Sequence, residues 1–284
     1  MNLFQSLILG IVQGLTEFIP VSSSGHLWLI PKVLGWENPS TSYILFLQLG
    51  TLFALIIYYR KLIWDYLKTL IIYIKNRSGI KKEDKVNMKV IINIVLATIP
   101  AGVIGVLLDS KIENLYDDKA NEKIAVLATV GALIFIGILF IFSSRLFRAK
   151  KYELEKLSIK NAIIIGFSQA LALIRGTSRS GITLLSGQAV GLKRFSAAEF
   201  SFLMSIPILG ASSLFGVYNF LKMPQAQIQQ ELGPAVVGML AAFVAGLLAI
   251  NFLLKFLKTN SLVSFGIYRI IFALVILVIL FGSL

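Results

Sequence analysis

Six stretches of this chain, at about 43–74, 89–108, 124–143, 197–221, 234–254 and 265–283, are nearly unbroken runs of apolar residues. Each approaches or exceeds the ~20 residues an α-helix needs to cross the hydrocarbon of a bilayer. A backbone in hydrocarbon must satisfy its own hydrogen bonds, so the runs predict helices and exclude open sheets. Composition agrees: 57% of the 284 residues are hydrophobic and 14% charged. Soluble domains carry about half and about a quarter. The expected fold is an all-α polytopic membrane protein, one integral membrane domain over 1–284. No basic segment precedes the first apolar run, so no cleaved signal peptide is expected. The chain has no cysteine and one histidine, which excludes disulfides and argues against a zinc or iron site. Its net charge of +13 comes from scattered Lys and Arg. That pattern fits loops that fix topology and touch anionic lipid; nucleic acid is not an expected partner.

Two regions differ from the six runs. Residues 1–34 and 158–192 are pairs of shorter apolar pieces, broken by PVSSSG and RGTSRSG. A break of this kind cannot face lipid, but it is tolerated inside protein as a re-entrant hairpin. A shift of 156 residues superposes Gly10 on Gly166, Gln13 on Gln169, Leu15 on Leu171, Ser22 on Ser178, Ser24 on Ser180 and Gly25 on Gly181. Each pair is followed by three spanning candidates, and an odd number of crossings inverts the second copy. The expected architecture is six transmembrane helices plus two re-entrant helical hairpins, as inverted-topology repeats over about 1–146 and 158–284. In that arrangement one side collects 19 Lys/Arg, within 60–89, 144–160, 193–194 and 255–264. The other side collects five: Lys32, Lys111, Lys119, Lys123 and Lys222. The basic side is expected to be cytoplasmic, with both termini and the mouth of the first hairpin outside. Arg175, Arg179 and Arg269 fall at or near membrane depth.

The polar residues of the breaks carry the chemistry. Gln13 and Glu17 are four apart and share a helix face. A carboxylate inside a membrane segment costs at least ~2.5–3.5 kcal/mol and marks a site unless it snorkels to the interface. Ser22, Ser23, Ser24, Gly25 and His26 open a second half-helix, whose free N–H groups suit an anion. One serine serves as the N-cap, which leaves two unexplained. A lone histidine is usually structural; beside a carboxylate and Ser23 it becomes a candidate acid or base. The second break brings Arg175, Gly176, Thr177, Ser178, Arg179, Ser180, Gly181 and Thr183. Glycines admit a close ligand, hydroxyls donate, and Arg179 can grip phosphate oxygens in pairs. Together the breaks suggest a phosphate cradle. Plainer readings cover the rest. Ser196 and Glu199 have capping-box spacing. The acids from Asp109 to Glu122 suggest a solvated outer loop, Pro207 a kink, and Gln227, Gln229 and Gln230 loop surface.

QGLTEFIPVSSSGH resembles the (E/Q)xxxE and PVSSxGH signatures of the bacterial undecaprenyl-diphosphate phosphatases, the bacitracin-resistance family. RGTSRSGIT resembles that family's PGxSRSxxT motif, and FLQLGTLFALIIYYRKL and SAAEFSFLMSIP extend the likeness along the chain. The resemblance implies a multi-pass enzyme of the bacterial inner membrane. Such an enzyme hydrolyses undecaprenyl diphosphate to undecaprenyl phosphate and inorganic phosphate. This recycles the lipid carrier of peptidoglycan synthesis and confers bacitracin resistance. Glu17, Ser23, His26, Ser178 and Arg179 match family site positions, and Mg2+ or Ca2+ is the implied cofactor, bridged by Glu17 to the diphosphate. Phosphate binding is expected from Ser22, Ser24, Gly25, Gly176, Thr177, Ser178, Arg179, Ser180 and Thr183, with polar support from Gln13, Gln169 and Arg175. Ser23 is the favoured nucleophile with His26 as its acid or base, while His26 itself and water stay open. Two positions depart from the pattern: Gln13 takes the slot often held by Glu, and Arg175 the slot usually held by Pro. A polyprenyl-phosphate flippase or anion transporter could use the same midplane site. Membrane lipid is the expected surroundings, and a homodimer is compatible with the sequence.

Overall fold

The structure, a computed structural model, describes residues 1–37, 39–75, 80–147 and 152–281. The side chains of Asp109, Glu113 and Asp117, and the cations Arg77, Arg148, Lys150 and Lys151, lie outside the described set. Six helices are long and apolar enough to span a membrane. They are α3 (Thr41–Tyr58), α5 (Lys82–Asp117), α6 (Glu122–Leu146), α9 (Arg194–Leu221), α10 (Gln225–Thr259) and α11 (Val263–Phe281). Four shorter helices form the two broken pairs: α1 (Leu3–Phe18) with α2 (Ser23–Val33), and α7 (Ile159–Gln169) with α8 (Arg179–Ala189). The fold is all-helical among the described residues, apart from a single bridge between Tyr152 and Leu192.

Several boundaries differ from the sequence expectation. The apolar run at 43–74 is not one helix: it turns at Tyr59, and α4 (Arg60–Lys75) follows. Arg60, Lys61, Asp65 and Lys68 are too costly for hydrocarbon. Thr69 alone of the α4 residues is buried, and Trp64 and Ile74 are exposed. The acids from Asp109 to Asp117 continue α5 as helix and do not form a loop. Gln227, Gln229 and Gln230 are exposed as expected, but they sit in the first turns of α10. Ser196 and Glu199 form no capping box. Lys193 is the N-cap of α9, and Ser196 Oγ donates to Glu153 Oε2 at 2.7 Å.

Small residues let the short helices reach backbone contact with the long ones, as in other membrane bundles. A Cβ on Gly10 of α1 would lie 2.2 Å from the Gly238 carbonyl of α10. A Cβ on Gly166 of α7 would lie 2.4 Å from the Ala97 carbonyl of α5. Helix α1 therefore packs on α10, and α7 on α5. Helix α6 pairs with α11, and α3 with α9. Phe18, at the inner end of α1, meets Phe202 of α9 edge-on with 5.3 Å between ring centres. This packing buries the inner ends of both short pairs in the middle of the bundle.

Candidate active site

Both breaks are built alike. Helix α1 stops just before Pro20, which lacks an N–H and disfavours helix in the residue before it. Helix α7 tightens into a 3-10 segment, Ala170–Leu173, and Gly176 then turns with φ 95°. Each second half-helix opens on a serine in the left-handed region, Ser22 at φ 80° and Ser178 at φ 72°. A non-glycine residue pays about 1–2 kcal/mol for that conformation. The same turn lets each hydroxyl cap its helix. Ser22 Oγ accepts from the Gly25 N–H at 3.3 Å, and Ser178 Oγ from the Gly181 N–H at 3.1 Å. Ser22 also pairs with Ser24 at 3.4 Å, and Ser178 with Ser180 at 3.2 Å. The breaks touch: a Cβ on Gly25 would lie 3.5 Å from Cα of Gly176.

Glu17 is the hub. Its Oε1 accepts from Arg179 Nη2 at 2.6 Å, and its Oε2 from Ser23 Oγ at 2.7 Å and Gln13 Nε2 at 3.0 Å. The carboxylate is buried, and a buried charge is tolerated only when paired and hydrogen-bonded in this way. Arg179 also reaches the Ser201 carbonyl, at a long 3.5 Å. A guanidinium has five N–H donors, so several remain for a ligand.

These residues floor a cavity of about 720 Å3. Glu17, Ser23, Ser24, Gln169, Ser178 and Arg179 line its polar end. Its walls are mostly apolar and come from α3 (Leu45), α5 (Ala101, Gly102, Gly105, Val106) and α9 (Ile208, Leu209, Phe215), with Gln48, Thr98 and Ser212 as the polar exceptions. Gln169 is 3% exposed, and neither of its amide atoms has a partner among the described residues. Leaving such a group unpaired costs about 1–3 kcal/mol.

Other residues singled out in the sequence stand behind this floor. Thr183 Oγ1 is bound to the Arg179 carbonyl at 2.8 Å and to Ser201 Oγ at 2.6 Å. His26 commits both ring nitrogens. Nδ1 lies 2.8 Å from the Ser22 carbonyl, which can only accept, so Nδ1 carries the proton. Nε2 then accepts from the Tyr268 hydroxyl at 2.8 Å. The ring stacks on Phe272 with 4.0 Å between centres. His26 thus supports the first break and does not reach Ser23. Arg175 lies over the Tyr116 ring at 4.3 Å and the Trp28 ring at 5.7 Å. Its backbone N–H donates to the Tyr116 hydroxyl at 2.9 Å. It ties the C-terminal end of α5 to the second break.

Sequence reasoning assigned no role to Arg269, the largest fully buried side chain. Its guanidinium donates to Pro20 O at 3.1 Å in the first break, and to Thr177 O at 3.1 Å and Gly176 O in the second. It also reaches Leu133 O and Ala132 O of α6 at 3.3 and 3.4 Å. One side chain therefore joins both breaks. The available signal was an arginine inside an apolar run. Its partners are carbonyls, which leave no trace in a sequence.

Two helix N-termini and a buried carboxylate–guanidinium pair, gathered at one cavity in a bundle with six helices long and apolar enough to span a bilayer, define a polytopic membrane protein with a polar site inside it. The family model described as bacitracin resistance protein BacA matches residues 6–275, and the chain belongs to that family. A protein of Myxococcus xanthus named undecaprenyl-diphosphatase is 36% identical over 281 residues, 99% of this chain and 90% of its own. Those of Fusobacterium nucleatum and Geotalea daltonii, with the same name, are 36% and 38% identical. They cover 96% and 95% of this chain and 99% and 95% of their own.

Proposed function

We propose that this chain is an undecaprenyl-diphosphate phosphatase, releasing inorganic phosphate and returning undecaprenyl phosphate to peptidoglycan synthesis. The family membership and the names of the relatives support the activity. The observation that carries the chemistry is Glu17 holding Ser23 and Arg179 together on the floor of one cavity.

Phosphoryl transfer asks mainly for positioning and charge stabilisation. Arg179 and the N–H groups opening α2 and α8 take the phosphate oxygens. Ser23 Oγ bonds to the terminal phosphorus while the bond from that phosphorus to the bridging oxygen breaks. The Ser23 proton passes to Glu17 and on to the bridging oxygen as undecaprenyl phosphate leaves, so Glu17 is a carboxylate again. Water then attacks the phosphoserine. Glu17 accepts a proton from the water and returns one to Ser23 Oγ, releasing phosphate. His26 and Tyr268 hold the first break in shape.

Among the described residues no group of three metal-ligating side chains exists, and Glu17 is the sole carboxylate on the cavity wall. A cage made of protein ligands does not fit. Magnesium bound through one carboxylate and substrate phosphates does. Glu17 would hold Mg2+ or Ca2+ together with the diphosphate, and the cation would neutralise phosphate charge.

The 19-to-5 distribution of basic residues supports a site open to the external face, with both termini external. The cavity agrees, because its walls use the halves of α3, α5 and α9 nearest the less basic side. The packing of α1 on α10 and of α7 on α5 supports an inverted repeat, since the proposed symmetry exchanges these two pairs.

The test is phosphate release from undecaprenyl diphosphate by purified protein in detergent, beside Arg179→Ala. A flippase or transporter releases none, and absence of turnover by the wild type would reject the proposal.

A further inference from the structure

The pseudo-symmetry that relates the two breaks fails in two places, and both failures face the same cavity. The shift that superposes Gln13 on Gln169 superposes Glu17 on Leu173. In the first half Gln13 donates to Glu17. In the second half the carboxylate is missing, and the amide of Gln169 is buried without a partner among the described residues. Gln169 and Leu173 both line the cavity, one helical turn apart.

The second failure lies in the long helices. Helices α3 and α10 meet backbone to backbone, so that a Cβ on Gly50 would lie 2.2 Å from the Met239 carbonyl. Their counterparts, α9 and α5, are parted along 207–215 and 98–106 by a mostly apolar arm of the cavity, in which Thr98 and Ser212 are the polar residues. Glycines keep that arm open on the α5 side. A Cβ on Gly102 would meet nothing within 4 Å, and one on Gly105 only Leu173 Cδ2 at 3.8 Å. The rims of the arm carry Val106, 81% exposed, and Phe215, 56% exposed. In a membrane those side chains face lipid.

We infer that these two failures orient the substrate: Gln169 donates to the phosphate that bears the tail, and the first isoprene units leave past Leu173 between α5 and α9. This rests on the phosphatase reading above. With the terminal phosphate at Ser23 and Arg179, the tail-bearing phosphate falls toward Gln169, whose NH2 supplies two donors and whose oxygen can accept a hydrogen bond from a bound water. Leu173, in the slot of a carboxylate, gives an apolar start to the tail path. The open arm then lets an apolar chain pass sideways into the bilayer without entering water.

The experiment compares undecaprenyl diphosphate with isopentenyl diphosphate, whose single isoprene unit does not extend along the arm. Gly102→Phe places a ring in the open arm. Gly102 is helical and its Cβ has room, so the substitution removes a helix-weakening glycine and the variant keeps its melting temperature. The ratio of kcat/KM for the long substrate to that for the short one should fall at least tenfold. Gly131→Phe, at an equally open position of α6 away from the cavity, should keep the wild-type ratio. Gln169→Leu should lower kcat/KM about tenfold on both substrates and leave the ratio alone, because the amide touches phosphate and not tail. A wild-type ratio in Gly102→Phe overturns the tail path, and full activity of Gln169→Leu on both substrates overturns the orientation. If the wild type hydrolyses neither substrate, the phosphatase reading has failed instead.

Discussion

Arg269→Met is the sharpest perturbation this fold offers. The substitution keeps an unbranched apolar stem, shorter by the end of the guanidinium, and removes every donor. The carbonyls of Leu133 and Ala132 lie in α6 and keep their helical partners. Those of Pro20, Gly176 and Thr177 lie in the breaks, outside any helix, and depend on the guanidinium. Each buried carbonyl left unpaired costs about 1–3 kcal/mol. Three of them total roughly 3–9 kcal/mol, comparable to the 5–15 kcal/mol that stabilises a typical domain. Arg269→Met should therefore melt far below the wild type in detergent, and whatever folds should hydrolyse no substrate. Arg269→Lys separates the roles. An ammonium has three donors and no fork, so it can serve one break but not span both. We expect a folded protein with a moderate loss of melting temperature. Its kcat should fall at least tenfold with KM little changed, because the cradle is less preorganised for the transition state. The assays are a melting curve and steady-state phosphate release. An Arg269→Met protein with wild-type melting temperature and turnover would refute the reasoning, since the break carbonyls would then be satisfied without it.

Arg179→Ala should abolish turnover, and Arg179→Lys should not restore it, because an ammonium cannot grip phosphate in pairs while also holding Glu17; a lysine variant within threefold of wild-type kcat would exclude that role. Glu17→Gln should remove both the ion pair and the acceptor for the Ser23 proton. Its kcat should fall by two orders of magnitude or more, with a weakened response to Mg2+, and an undiminished Mg2+ response would place the cation elsewhere. Cysteine at Lys222 should react in intact cells with an impermeant thiol reagent, and cysteine at Lys82 should not. Both positions are exposed, and the reverse pattern would invert the topology.

The helices were legible because membrane burial leaves a strong mark: about twenty apolar residues per span. Glu17, Ser23, Ser178 and Arg179 were legible because polar residues inside apolar runs need a reason. What escaped depended on three-dimensional direction. Nothing in the spacing of Ser23 and His26 says that the imidazole turns away to Tyr268 and Phe272, leaving Glu17 as the partner of Ser23. The identities linking Gln13 to Gln169 suggested equal roles, yet the loss of the acid at Leu173 leaves one amide bound and the other orphaned. The bend at Tyr59 was hidden because the charges of α4 are spaced among apolar residues, so the run looked continuous.

The charges at the centre of the bundle explain how the site tolerates burial and which ions it favours. Glu17 against Arg179 and Arg269 leaves one net positive charge. The N-termini of α2 and α8, each helix 11 residues long, add about half a charge apiece. These groups together carry about two positive charges in a medium that screens poorly. A diphosphate anion matches that charge and is drawn in; a free divalent cation is repelled. Any cation that Glu17 helps to hold would enter already bound to the diphosphate, and this fits a cavity wall that supplies only one carboxylate. After hydrolysis the site has to release a lipid monophosphate and inorganic phosphate, each carrying less charge than the pair that entered as one molecule. On the proposed phosphatase reading, a positive centre that attracts the diphosphate binds each less charged product less tightly, which favours product release.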